Sequence, residues 1–243
     1  MSVQLNVSKF KDLMRRGTVN HCIENVKVVF TKENAVSAMR GTDLISHVKW
    51  PNNILTGLKK ADEIDFCFVN PTTEVLPYLE ILRGETVDTT IESGHIELKE
   101  DPYLVKINLK HPNVVTPFDP DRRPNIDFFV DFHLTEEFLN FLNKTKGVSS
   151  STGRIFLGVK NGFLYARAGG AAGELNSEIN LNLVQSEFRD VELSFNYKSF
   201  ISLVGLIDSV FTLSCAYEEE QELGLIKAVN EAETETYYIM SRI

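Results

Sequence analysis

Four of the chain's eight prolines fall within residues 112–125, Pro-Asn-Val-Val-Thr-Pro-Phe-Asp-Pro-Asp-Arg-Arg-Pro-Asn. Each proline fixes φ, removes a backbone donor and pushes its predecessor towards extended backbone. Neither a helix nor a central strand runs through such a stretch. The chain reads alike on its two sides, each half being strand, helix, several strands, a second helix, then strands. The segment is therefore expected to be an extended connector (112–125) between two copies of one module, at 1–111 and 126–243. A length of 243 residues suits two domains of ordinary size.

In the first half, apolar alternation predicts strands at 3–7, 26–31, 35–40, 45–50, 64–69, 86–92, 95–100 and 103–110. Ser8 is the expected N-cap of a helix over 9–16 that ends at Gly17. On its wheel Leu13 and Met14 lie within about 60° of Phe10. Lys9, Lys11, Arg15 and Arg16 lie on the other side, relieved only by Asp12. Asn70 and Pro71 suit the cap and first turn of a second helix, 71–83, kinked at Pro77. In the second half, strands are predicted at 127–134, 154–159, 163–167, 177–183, 191–197, 211–217, 223–229 and 236–242. Helices are predicted from Thr135 to Lys146 and over 198–208. The two halves also align by count: Phe10 to Phe138, Lys32 to Lys160 and Ala38 to Ala166 are each 128 residues apart, and Phe66 to Phe195 is 129. A near-constant offset across matched elements predicts a duplicated α+β module.

Apolar residues at 43% and charged residues at 24% supply real cores and a soluble surface. No apolar run approaches the ~20 residues that span a bilayer. The N-terminus has no basic start or apolar signal core, so an intracellular protein without membrane contact is expected. Cys22, Cys67 and Cys215 are odd in number and far apart, as expected of reduced thiols. The net charge of −9 is uneven: residues 1–111 carry 14 Lys/Arg against 15 Asp/Glu, and residues 126–243 carry 9 against 17. That balance argues against coating nucleic acid with the whole surface, and leaves room for one basic face.

Signatures of catalysis are missing. His21, His47, His95, His111 and His133 stand at no metal-ligand spacing with cysteine or with each other. The stretch 169–174 is glycine-rich but lacks the Gly-Lys-Ser/Thr ending of a phosphate loop. Neither a Gly-x-Ser-x-Gly elbow nor a His-Glu-x-x-His pair occurs. The chain reads as a binding protein, not an enzyme, with no cofactor and no metal.

Three stretches, in this order and around this connector, resemble one family. Ala38-Met39-Arg40-Gly41-Thr42-Asp43-Leu44 is similar to an Ala-Met segment of the DNA sliding clamps, the type of proliferating cell nuclear antigen and the tailed-phage clamps. Residues 191–202, Val-Glu-Leu-Ser-Phe-Asn-Tyr-Lys-Ser-Phe-Ile-Ser, resemble the strand and helix start late in the second clamp domain. The ending Tyr-Tyr-Ile-Met-Ser-Arg-Ile resembles the family's terminal strand, with Ser241 where the family has a pocket proline. The resemblance implies an α+β clamp fold, two helices per domain packed on antiparallel sheet, assembling into a ring of commonly three subunits.

It further implies a polymerase processivity factor that encircles double-stranded DNA without reading sequence and tethers DNA polymerase, with a clamp loader as partner. The cations it assigns to DNA are Lys9, Lys11, Arg15, Arg16, Arg83, Lys144, Lys146 and Lys198 on helices, and Lys59, Lys60 and Arg167 in expected loops. The partner-peptide pocket would take Met39, Leu44, Val114, Val115, Phe118, Tyr238 and Met240. Subunits would join through Tyr103, Val105 and Ile107 of one copy and Ile179, Leu181 and Leu183 of the next. Two alternatives stand beside this: a clamp-like protein scaffold, and a monomeric polymerase accessory subunit, neither encircling DNA. The basic side of the first helix distinguishes them, since a pure scaffold has no need of it.

Overall fold

Alternation of apolar side chains is what fixes the sheets. The computed structural model describes residues 2–115, 117–119, 126–170, 176–183, 190–208, 210–220 and 222–241. The chain divides into two compact units, Met1–Asp121 and Arg122–Ile243. In the first, β1 (Ser2–Asn6) leads into α1 (Val7–Gly17), then β2 (Asn25–Thr31), β3 (Asn34–Arg40), β4 (Leu44–Pro51), the two-residue β5 (Leu55–Thr56) and β6 (Glu63–Val69). The short helices α2 (Pro71–Glu74) and α3 (Leu76–Leu79) precede β7 (Thr86–Glu92), β8 (His95–Glu100) and β9 (Tyr103–Asn108). Strand order is β5-β1-β7-β8-β9 on one side and β4-β3-β2-β6 on the other. In β2, Val26, Val28 and Phe30 are buried while the residues between them are half-buried, as period two requires.

The second unit repeats this plan. β10 (Phe128–Phe132) and α4 (Glu136–Thr152) are followed by β11 (Arg154–Lys160), β12 (Phe163–Gly169), β13 (Asn176–Leu183) and β14 (Val191–Asn196). Then come α5 (Tyr197–Val204), β15 (Phe211–Glu218), β16 (Leu223–Asn230) and β17 (Glu235–Met240). The orders β10-β15-β16-β17 and β13-β12-β11-β14 reproduce β1-β7-β8-β9 and β4-β3-β2-β6 strand for strand. Phe10 and Phe138 occupy matching places on α1 and α4, Phe66 and Phe195 on β6 and β14, and all four are fully buried. The architecture is α+β with antiparallel sheets, as expected.

Aromatic packing seats each first helix. The Phe10 ring lies 6.0–6.1 Å from those of Phe30, Phe66 and Phe68. Phe138 is 6.4 Å from Phe132 and 6.2 Å from Phe200. Gly17 brings the end of α1 down onto β3, where an added Cβ would stand 2.5 Å from the Ser37 Oγ. The Ser46 hydroxyl donates to the Gly17 carbonyl at 2.5 Å, so the chain leaves the helix bound to the sheet.

Local details differ from expectation. Asn6, not Ser8, caps α1: its side chain accepts from Lys9 N at 3.0 Å, and helical backbone begins at Val7. The helix expected over 71–83 is two four-residue pieces. Val75 breaks out of helical conformation at φ −126°, and Pro77 has no N–H with which to bridge the break. Asn70 sits at φ 47° and its side chain makes no cap. α4 runs past Lys146 to Gly153, which closes it at φ 68°. Of the expected terminal strand, Arg242 lies outside the described residues, as do 171–174 of the glycine-rich stretch.

Candidate nucleic-acid interface

Burial of Phe10, Leu13 and Met14 sends the opposite side of α1 outward. Lys9 and Arg15 are exposed, and Lys11 and Arg16 are half-buried. The Arg16 guanidinium carbon lies 5.7 Å from the centre of the Trp50 ring, which holds that side chain along the helix flank. Arg15 and Arg16 fall in the last turn, where the helix dipole favours cations, and no acidic residue occupies the first. Four cations therefore ride on one rigid element whose other face is locked into the core. Cationic side chains so displayed attract phosphate without selecting a base.

In the second unit the expected helix cations divide between two places. Lys146 and Lys198 line a single groove of about 530 Å³ between α4 and α5, with Asn143, Ser150, Tyr197 and Ile201. Lys144, two residues from Lys146, points elsewhere. It lines a separate cavity of about 720 Å³ beside β13 with Glu136, Glu137, Phe141, Glu178 and Ile179. Arg83, Lys59 and Lys60 are exposed in loops. Arg83 thus does not ride on the expected helix, because α3 ends at Leu79. Its backbone N–H is held by Glu100 Oε2 at 2.8 Å.

Among the described residues, each expected joining strand has one unpaired side within its unit: β9 pairs with β8 alone and β13 with β12 alone. Val105 and Ile107 are buried at 6% and 3% exposure, Tyr103, Ile179 and Leu181 are half-buried, and the Leu183 side chain lies outside the described residues. Leu109 N donates to Gly94 O, so by alternation the neighbouring Asn108 N–H is turned away from β8.

The connector begins inside the first unit. Phe118 N donates to Ala38 O at 3.0 Å and Pro117 bridges Met39, so the connector lies against β3. Of the expected peptide contacts, Met39, Leu44 and Val115 are buried, Phe118 is half-buried, and Val114 is 50% exposed. Val115 is therefore the connector's own anchor, which corrects its reading as an open contact. Met39 also accepts from Lys27 N through its sulfur and borders a cavity of about 420 Å³ with Cys22, Ile23, Asn25 and Arg40. Tyr238 (buried) and Met240 (half-buried) sit on β17 of the second unit. One cluster was missed from sequence: Glu92, His95 and Glu97 meet on the β7–β8 hairpin. Glu-x-x-His-x-Glu across a Ser-Gly turn was the available signal.

The duplicated strand order is shared with known structures over the full chain. Against *Streptococcus pneumoniae* DNA polymerase III beta chain the TM-score is 0.74 at 15% identity, covering 100% of this chain and 65% of that one. This chain has the DNA sliding-clamp fold. The *Bacillus subtilis* DNA polymerase sliding clamp matches at TM-score 0.72 and 15% identity, over 100% of this chain and 64% of that one. *A. fulgidus* PCNA, solved with the C-terminal region of FEN-1 bound, matches at TM-score 0.67 and 12% identity, over 100% of this chain and 98% of that one. The chain thus spans nearly all of the A. fulgidus PCNA chain and just under two-thirds of the other two. No family model matches the chain, and no curated protein sequence does.

Within that fold Arg167 is a strut of the second unit, which corrects its expected place in a loop facing DNA. It stands on β12 at 3% exposure. Its Nη2 meets Glu192 Oε1 at 2.5 Å, its Nε meets Oε2 at 2.8 Å, and its Nη1 donates to Gly170 O. The guanidinium lies 4.0 Å from the centre of the Phe156 ring. Tyr165 donates to the same carboxylate at 2.8 Å, and Gly158 opposite leaves room for its ring, since a Cβ there would stand 2.7 Å from it. Burial pushes the Glu192 carboxyl up, but hydrogen bonds from Arg167 and Tyr165 outweigh that and hold it below its usual 4.5. A depressed carboxylate stabilises the fold above its unfolded pKa, and that stability drains away as pH falls through the folded value. Glu192→Gln should therefore cost about 2–3 kcal/mol at pH 7, because a buried guanidinium loses its charge partner. In urea titrations the gap to wild type should narrow below about pH 4. A gap unchanged from pH 7 to pH 3 would contradict the assignment.

Proposed function

We propose that this chain is the subunit of a sliding clamp, a non-enzymatic intracellular ring that encircles duplex DNA and tethers a DNA polymerase to it. The observation that carries this is the basic side of α1, held outward by its buried aromatic face in a chain with the clamp fold. Three copies close the ring by pairing β9 of one with β13 of the next, a head-to-tail join of unlike edges. A clamp loader opens it. The lining is polarised, strongest at Lys9, Lys11, Arg15 and Arg16. Lys146 and Lys198 add to it, as do the loop residues Lys59, Lys60 and Arg83. Long solvated cations hold the duplex by charge and let the ring move along it.

Charge reversal on α1 tests the DNA reading. Lys11→Glu/Arg15→Glu/Arg16→Glu should abolish retention on circular DNA and polymerase stimulation, leaving far-UV circular dichroism and assembly unchanged. The slope of log affinity against log salt should fall by roughly 3, one per lost phosphate contact. Unchanged retention and stimulation would reject the DNA face and favour a scaffold.

The partner site lies along the connector, where Val114 is exposed and Phe118, bound to Ala38 on β3, is half-buried. The A. fulgidus PCNA structure with a FEN-1 C-terminal region bound supports a partner's C-terminal segment as the ligand, and we assign the polymerase's tail to this place. A few apolar anchors carry most of the energy of such contacts. Val114→Asp should weaken binding of the cognate polymerase's C-terminal peptide by more than about 1 kcal/mol in calorimetry. Equal affinity for variant and wild type would move the site away from the connector.

A further inference from the structure

On the β7–β8 hairpin, Glu92 and His95 face each other in register across the two-residue turn Ser93–Gly94. Directly paired strand residues project from the same face, and Glu97, two residues beyond His95, joins them there. His95 Nε2 lies 3.3 Å from Glu92 Oε2 and 3.3 Å from Glu97 Oε1. The three ligand atoms all fall within 4.8 Å of one another. The imidazole is fixed, its side chain being 14% exposed, whereas Glu92 at 54% and Glu97 at 31% have room to adjust.

Two features of this geometry favour a cation over a simple ion-pair cluster. A charge-assisted hydrogen bond spans roughly 2.7–2.9 Å, so the hydrogen bond of Nε2 to Glu97 and its contact with Glu92, both 3.3 Å, are long. Ligands held about 2.0 Å from a tetrahedral metal are separated by about 3.3 Å, which is the distance of Nε2 from each carboxylate, and the two carboxylates lie within 4.8 Å of each other. Charge points the same way. Two carboxylates converge on one imidazole, and the nearby cation, Lys106, reaches only Glu97, at 3.4 Å.

We propose that Glu92, His95 and Glu97 form a binding site for a divalent transition-metal ion of the zinc type. One nitrogen and two oxygens suit Zn²⁺ better than Mg²⁺ or Ca²⁺, which take oxygen alone. The ion ties the last residue of β7 to the first and third residues of β8, one strand in from the edge at β9, and Lys106 competes with it for Glu97. Its role is structural: the metal fastens the hairpin, and solvent fills the remaining coordination positions. The site is independent of DNA and of the connector.

Titration calorimetry of the full chain with zinc chloride, after chelator treatment and in a non-coordinating buffer, tests this. Wild type should bind one zinc per chain and melt at higher temperature with zinc than without, since a ligand of the native state stabilises it. His95→Gln and, separately, the more exposed Glu92→Gln should each weaken binding by about tenfold or more, with unchanged circular dichroism. Lys106→Gln should bind zinc at least as tightly as wild type, because it removes the competing cation. Absence of a saturable site, affinity unchanged by both His95→Gln and Glu92→Gln, or weaker binding by Lys106→Gln would each overturn the proposal.

Discussion

The burial of one phenylalanine on each first helix decides which way the rest of the helix faces. Phe10 is held by Phe30, Phe66 and Phe68 across two neighbouring strands, so α1 can neither roll nor slide without leaving its pocket. Fully burying such a side chain stabilises by about 1.5–3 kcal/mol, far more than any single solvated cation contributes. The apolar face therefore sets the orientation, and the charges follow. The helix alone displays Lys9, Lys11 and Arg15 together, and Arg16 beside them also lies over the Trp50 ring. Phe138 does the same for α4, but α4 carries Glu136 and Glu137 in its first turn and splits Lys144 from Lys146. One architecture thus gives a strongly basic helix in the first unit and a mixed one in the second.

Most of the element order was legible because strands and helices announce themselves through different periods. The 128-residue offsets fall on matched elements: Phe10 and Phe138 on first helices, Ala38 and Ala166 on second strands of the same sheet. What sequence could not supply were partners distant along the chain. Arg167 read as a loop cation because the strand holding it was cut short at that residue, and nothing local points to Glu192, 25 positions on. Val114 and Val115 are adjacent and identical, and without periodicity in a proline-rich stretch only the fold separates the buried one from the exposed one. β5 is two residues long, too short for any pattern. The split between α2 and α3 depended on a break at Val75 rather than a kink at Pro77.

Duplication leaves the same topological remainder in both units. A sheet that does not close on itself ends in a strand with unused donors and acceptors, and such edges invite association unless they are blunted. Among the described residues β9 and β13 are such ends, one in each unit, and they occupy unlike places in the repeat: the last strand of its module and the fourth. Unlike edges join head to tail, which gives a ring when the rotation closes. The account of a clamp depends on that closure more than on any single side chain, since an open subunit cannot stay on DNA by weak charge alone.

Sedimentation equilibrium, on wild type and on Asn108→Pro, measures closure directly. Asn108 is suited to the comparison because its N–H is turned away from β8, so proline there removes an outward donor and spares the pairing within the sheet. The account predicts a wild-type species of about three times the 27.5 kDa chain mass, and a variant shifted to the mass of one chain with its fold intact. A wild-type protein that remains at 27.5 kDa at micromolar concentration, with or without DNA, would contradict it.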